Sequence, residues 1–270
     1  MRKLCKNRAA VAGFFVFLSI CIACALAPYL TKWDYFSIDT TIVHAAPSRE
    51  HILGADNLGR DIFSRLLYGG RVTLRIALVS TSLAAAVGCA AGLIAGYFRG
   101  RADFFISHLL DMLASIPVFM LIIVTEASLG WGRGYFMYAL AAAAVPQFAM
   151  LVRASAMNIM GCTYIEAARA LGVRHDKIIR RHVLHNIAPP LIIRFTSGIT
   201  EALVICTIMG YLGVGINPPT PEWGALAYTG KAFTRSHPLL IILSSAAIAV
   251  CVISVSLFGD GLRDALDPRE

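Results

Sequence analysis

Val72-Thr73-Leu74-Arg75-Ile76-Ala77-Leu78-Val79-Ser80-Thr81-Ser82-Leu83-Ala84-Ala85-Ala86-Val87-Gly88-Cys89-Ala90-Ala91-Gly92-Leu93-Ile94-Ala95-Gly96-Tyr97-Phe98 is an apolar run whose only charge is Arg75. It exceeds the roughly 20 mostly apolar residues that a helix needs to cross a bilayer. On either side of it, Ala9–Leu30, Phe104–Thr125, Tyr135–Val152, Leu191–Leu212 and Pro238–Phe258 meet the same criterion. The sequence therefore predicts an all-α integral membrane protein with six transmembrane helices. Composition agrees: of 270 residues 57% are hydrophobic and 15% charged, and the mean hydropathy is +0.69, too apolar for an ordinary soluble domain.

The first span is preceded by Arg2, Lys3, Lys6 and Arg8 and contains Ala25-Leu26-Ala27, which imitates a secretory signal with its cleavage site. Its apolar run exceeds the roughly 7–15 residues of a signal core, and Pro28 would follow the cut, so it is read as a retained helix. Six spans place both termini on one side. With the N-terminus cytoplasmic, Arg99, Arg101, Arg153, Arg169, Arg174, Lys177, Arg180, Arg181, Arg194, Arg263 and Arg269 join the N-terminal cluster inside, the larger share of the 24 Lys and Arg. The net charge of +8 reads as this topology signal, because no basic helix interleaved with aromatics points to nucleic acid.

None of the 7 cysteines falls in a segment read as extracytoplasmic, so no disulfide framework is implied. Cys21 and Cys24 lie inside a lipid-length run and read as packing residues. Three connections are long. Thr31–Arg71 is read as outside and ends in Asp61–Tyr68, an amphipathic stretch expected to lie at the interface with its apolar side in lipid. Arg153–Pro190 is read as inside and helical. Val214–His237 is read as outside, with prolines at 218, 219 and 221 that forbid a regular helix there.

The inner connection reads Glu166-Ala167-Ala168-Arg169-Ala170-Leu171-Gly172, then Ile178-Ile179-Arg180-Arg181-His182-Val183-Leu184. This resembles the Glu-Ala-Ala signature of bacterial ABC importer permeases. His51-Ile52-Leu53-Gly54-Ala55-Asp56-Asn57-Leu58-Gly59-Arg60-Asp61, with Ala55 in place of the usual Thr, is similar to a segment of the second permease of dipeptide, oligopeptide and nickel importers. So are Tyr211–Gly215, Pro218–Gly224 and the ending Gly259–Pro268. Where the family usually has proline after His-Val-Leu, this chain has His185 and Asn186, with Pro189 and Pro190 following, which predicts a delayed break and an altered route into the fifth span.

The resemblance implies a non-catalytic permease subunit of the bacterial cytoplasmic (inner) membrane. It would have an N-terminal helix and outer segment over 1–71 and a five-helix core over 72–270. It also implies a homologous second permease, two ATPase subunits that bind ATP and Mg, and an extracytoplasmic substrate-binding protein. Peptides are the implied cargo, with nickel or a metal chelate as the alternative. Glu166, Ala167, Ala168 and Gly172 would form a coupling helix docking on an ATPase. Sequence supports such a helix: Ala is a strong helix former, Glu166 suits a helix start, and Gly172 can end it in a left-handed turn.

No nucleotide site of its own is visible: Gly230-Lys231-Ala232 lacks the hydroxyl residue and the first glycine of a P-loop, and no His-Glu-x-x-His occurs. His182 and His185 share a helix face and read as docking or solvated groups. Rival classes, an ATP-independent secondary transporter or a membrane enzyme, leave the inner signature unexplained or lack a catalytic constellation. Gly88, Gly92, Gly96 and Gly100 recur every four residues as a smooth packing ridge. Pro117 and Pro146 are expected to kink their spans. Glu201 shares a face with Arg194, Ser197 and Gly198, and Ser107, Asp111 and Ser115 repeat every four in the third span. Charges at bilayer depth need a protein or water partner. Either these stripes line the cavity between permeases, making Asp111, Ser115, Arg194, Ser197 and Glu201 pathway residues, or they pair helix to helix.

Overall fold

The computed structural model describes residues 7–130 and 134–266. Arg2, Lys3, Cys5, Lys6, Arg133, Asp267, Pro268 and Arg269, which entered the sequence argument, lie outside the described residues. Helix α1 (Arg8–Ala25) starts at Asn7, whose side chain accepts from the Ala10 amide at 3.2 Å. A short α2 (Ala27–Leu30) follows, with Pro28 in its first turn where no N–H is needed. Next come α3 (Ile62–Phe98), α4 (Gly100–Ala114), α5 (Val118–Leu129) and α6 (Tyr135–Met160). The inner connection holds α7 (Thr163–Ala170), α8 (His175–Ile178) and a π-helical turn, Ile179–Val183, which runs into α9 (Leu184–Tyr211). The chain ends in α10 (Trp223–Lys231) and α11 (Leu239–Leu266).

Among the described residues, five helices are long and apolar enough to cross a membrane, and the bent pair α4–α5 makes a sixth if its halves count as one span. The third span is therefore not one rod over Phe104–Thr125. Its halves meet at 85°, because Pro117 has no N–H to continue the ladder and instead caps α5. Two other expectations are corrected. The Asp61–Tyr68 stretch is not a separate amphipathic segment: from Ile62 onward it forms the first turns of α3, with Ile62, Ser64 and Arg65 buried, because Asp61 caps the helix there by accepting from the Ser64 N–H. The delayed break at Pro189 and Pro190 does not occur. Both sit inside α9, which continues from a wider π turn at Ile179–Val183; prolines are tolerated in such helices where neighbouring groups satisfy the freed carbonyls. Pro146 likewise lies within an uninterrupted α6.

The bundle centres on α3 and α6, with α9 and α11 packed beside them and α1 against α11. Glycines let the first pair approach. A Cβ on Gly88 would come 2.6 Å from Phe148 Cβ, one on Gly96 2.6 Å from Arg153 O, and one on Gly92 would collide with Ala149 O. Gly100 stands apart from this ridge: it opens α4 with φ +59, and a Cβ there would meet no other part of the protein within 4 Å. One apolar cluster fills the upper bundle around Leu203, Met209, Trp223 and Leu226. A second sits at the far end of α3, around Tyr97, Val152, Ile165 and Ile178.

Candidate coupling loop and membrane-depth polar groups

The connection between α6 and α9 is two-sided. Ile165, Ile178, Val183 and Ile187 are fully buried against Tyr97 of α3 and Val152, Ala156 and Met160 of α6. Tyr97 Oη lies 2.5 Å from His175 Nδ1, and the Arg169 guanidinium sits 5.7 Å from the Tyr97 ring centroid. The other side is open: Glu166 and Ala167 are exposed, Ala168 is half-buried, and Leu171 is 83% exposed. The turn after α7 follows from Gly172, whose φ of +75 suits a residue without Cβ. Its N–H donates to Arg169 O at 2.9 Å, and the Val173 N–H donates to Ala168 O at 3.1 Å, the paired bonds of a glycine-ended helix. Beside it lies a groove of about 490 Å³ lined by Arg174, Lys177, Arg180 and Arg181 and only one acid, Asp176.

At membrane depth, Arg194 donates from Nη1 and Nη2 to the two Glu201 oxygens at 2.8 Å each. It also donates to Gln147 Oε1 of α6 and lies over the Phe148 ring, 5.4 Å from its centroid. The Arg194 side chain is 18% exposed and that of Glu201 49%, so the carboxylate faces outward with the cation behind it. Glu201 borders two cavities, one of about 220 Å³ shared with Ser197 and Thr200, and one of about 110 Å³ shared with Ser80 and Thr81. Ser197 is exposed, with its hydroxyl donating to Ile193 O at 3.2 Å. Gly198, by contrast, is buried against Thr81 and Phe148. On α4, Asp111 and Ser115 are exposed, and Ser115 Oγ donates to Met112 O at 2.7 Å. Ser107 turns instead to Asp103, which Arg153 of α6 grips with both Nε and Nη2. Helix α6 thus holds both stripes, Gln147 reaching the α9 stripe and Arg153 the α4 helix.

Two buried knots escaped the sequence reading. In the outer segment, Asp56 accepts from the Leu58 and Arg60 amides and from Arg60 Nε at 2.8, 3.0 and 2.9 Å, and Arg65 Nε lies 3.5 Å away. Asp61 caps α3 by accepting from the Ser64 N–H at 2.7 Å and meets His51 Nδ1 at 2.9 Å, while Trp33 stacks on His51. The second knot is Glu222, which accepts from Thr73 Oγ1 at 3.0 Å and from the Gly224 and Ala225 amides at 2.9 Å each. Burial pushes its carboxyl up to about 6 against those three bonds. Gly224 lets α10 lie directly on α9, since a Cβ there would collide with Thr207 O. The motif residues had signalled kinship; their side chains turn out to be each other's partners.

Known proteins match along the whole chain. A family profile described as "Binding-protein-dependent transport system inner membrane component" fits residues 88–270. A second, "N-terminal TM domain of oligopeptide transport permease C", fits residues 1–47. A glutathione transport system permease protein of Pectobacterium atrosepticum is 38% identical, covering 99% of this chain and 89% of the relative. A dipeptide transport system permease protein of Alkalihalophilus pseudofirmus is 34% identical over 99% of this chain and 88% of the relative. Among solved structures, a methionine ABC transporter in inward-facing conformations matches in fold with a TM-score of 0.62 at 20% identity, covering 76% of this chain and 98% of that one.

Proposed function

The chain belongs to the inner-membrane components of binding-protein-dependent transport systems, and from that premise we propose that it forms half of an import pathway for short peptides. Peptide and glutathione transport in the names of its relatives supports that cargo. In this reading both termini are cytoplasmic and residues 72–270 act as the transport core behind an N-terminal unit, 1–71. A homologous permease completes the pathway. An extracytoplasmic binding protein delivers substrate, and two ATPase subunits bind ATP and Mg and drive the cycle. This chain supplies shape and docking, with no covalent chemistry of its own.

The observation that carries the pathway assignment is the Arg194–Glu201 pair. An ion pair in the middle of an apolar helix, with its carboxylate half-exposed, is costly against hydrocarbon, on the order of 2.5–3.5 kcal/mol per charge on insertion scales. Water in a shared cavity removes that cost, and Asp111, Ser115 and Ser197 extend the same polar lining. The coupling role falls to Glu166, Ala167, Ala168 and Gly172. Their helix is free on one side and joined on the other to α3 and α6, so force on its open face is passed to the bundle.

The test is reconstitution with the partner permease, ATPases and binding protein, followed by ATP-driven peptide uptake. Uptake that survives Glu201→Gln and Asp111→Asn unchanged removes the pathway role. A Gly172→Asp chain that retains transport-linked ATP hydrolysis removes the coupling role.

A further inference from the structure

The end of the bundle opposite the Glu166–Gly172 loop encloses a cavity of about 390 Å³, within the size range of small-ligand sites. It lies between the outer segment, which contributes His44, Pro47 and Asn57, and the chain around the start of α11, which contributes Phe233, His237 and Leu240. Apolar walls with a few polar groups are the usual make-up of a ligand pocket.

Three features set those polar groups apart. The His44 and His237 rings are stacked, with centroids 4.2 Å apart and planes within 8°. His44 holds φ +54, a conformation that residues with a Cβ rarely adopt and that recurs at ligand clamps. It is fixed there by its own N–H donating to Asp56 O and by the Ala55 N–H donating to Ala45 O, 3.0 Å each. Finally, Asn57 Oδ1 is buried without a hydrogen-bond partner among the described residues.

The titratable and charged groups that act on His44 are His237 from the turn before α11 and Asp56 from its own segment. Asp56 is already engaged by Arg60 and Arg65. Burial and His237 push the His44 imidazole below its usual value, and Asp56 pulls it back only in part. Two stacked imidazoles repel if both are protonated, whereas an anion beside them stabilises one imidazolium.

We propose that this cavity binds a small carboxylate with one apolar side chain, the chemistry of a hydrophobic amino acid or of the last residue of a short peptide. The carboxylate meets the His44–His237 pair, and the side chain packs on Phe233 and Leu240. Binding takes one proton from solvent onto the imidazole pair. That the cavity opens outward, where delivered cargo arrives, rests on the orientation proposed above; the binding chemistry does not.

The probe is N-acetyl-leucine, which carries one carboxylate, one amide N–H and one apolar side chain, titrated calorimetrically into the full chain in lipid nanodiscs. N-acetyl-leucinamide, which lacks the charge, is the control. The expected result is at least tenfold preference for the acid, affinity falling about tenfold from pH 7 to pH 8, and loss of that pH dependence when both imidazoles are removed in the double variant His44→Asn with His237→Phe. Equal binding of acid and amide by the unaltered chain, a pH-independent affinity, or no binding overturns the proposal. ATP-driven uptake is measured in parallel. A chain that supports uptake without binding the probe sinks the cavity alone, and one that binds the probe without supporting uptake sinks the permease reading alone.

Discussion

Thr73 and Glu222 meet in a buried hydrogen bond of 3.0 Å although 149 positions separate them. The bond joins the outer part of α3 to the first turn of α10, where the same carboxylate caps two amides. Burial raises the Glu222 carboxyl from 4.5 to about 6. A raised acid binds its proton more tightly in the folded state, so its contribution to stability is fully present below about pH 4.5 and is lost as pH rises through about 6. The shift corresponds to about 2 kcal/mol. Unfolding in detergent measured from pH 4 to pH 7 is expected to show that decline, and Glu222→Gln is expected to flatten it.

The Asp103–Arg153 pair ties α4 to α6 through two contacts from one guanidinium. Asp103→Asn and Arg153→Gln are each expected to cost about 1–2 kcal/mol. Because each removes the same interaction, the double variant is expected to cost less than the sum. A double-mutant cycle by denaturation in micelles measures the difference, and strict additivity would show that the pair contributes nothing.

Gly92 and Gly100 separate space from backbone conformation. Gly92→Ala drives a methyl into the Ala149 carbonyl and is expected to cost about 1–3 kcal/mol by overpacking, with a measurable increase in the α3–α6 distance between spin labels. Gly100→Ala meets nothing within 4 Å and is expected to cost about 1 kcal/mol through its positive φ, leaving that distance unchanged.

Leu171 offers a clean separation of docking from folding. It is 83% exposed, whereas Ile165, six residues earlier in the same loop, is fully buried. Leu171→Asp is expected to leave thermal unfolding within about 0.5 kcal/mol of the parent. It is also expected to weaken ATPase association at least tenfold, about 1.4 kcal/mol, as measured by co-purification at graded ATPase concentrations. Ile165→Asp is expected to lose the loop itself.

What was legible in the sequence was whatever lipid dictates one residue at a time. Runs such as Val72–Phe98 and Pro238–Phe258 declare themselves by length and apolarity alone. Pro117 signalled trouble in the third span, but the size of the bend depends on how α4 and α5 pack on α6, which no local pattern records. The continuation of α9 through Pro189 and Pro190 was hidden for a similar reason: a proline read alone signals a break, and whether the helix carries it depends on packing that no local pattern records. Glu222 and Asp56 were quoted as motif members without a role because their partners, Thr73 and Arg65, are identified only by three-dimensional proximity. Arg194 and Glu201 were easier, since helical geometry places residues seven apart on one face.

The 85° elbow between α4 and α5 has a consequence for the solvent around it. Pro117 has no N–H, the first amides of α5 lack partners within the helix, and Ser115, Ile116 and Pro117 are exposed. Bare peptide groups of this kind are tolerated at bilayer depth only against protein or a water-filled space, each costing several kcal/mol against hydrocarbon. At bilayer depth such a spot excludes lipid tails. The membrane around a bent third span would then be not a uniform slab of oil but one notched at Ser115–Pro117, with a moist crevice or a neighbouring polypeptide in place of the acyl chains.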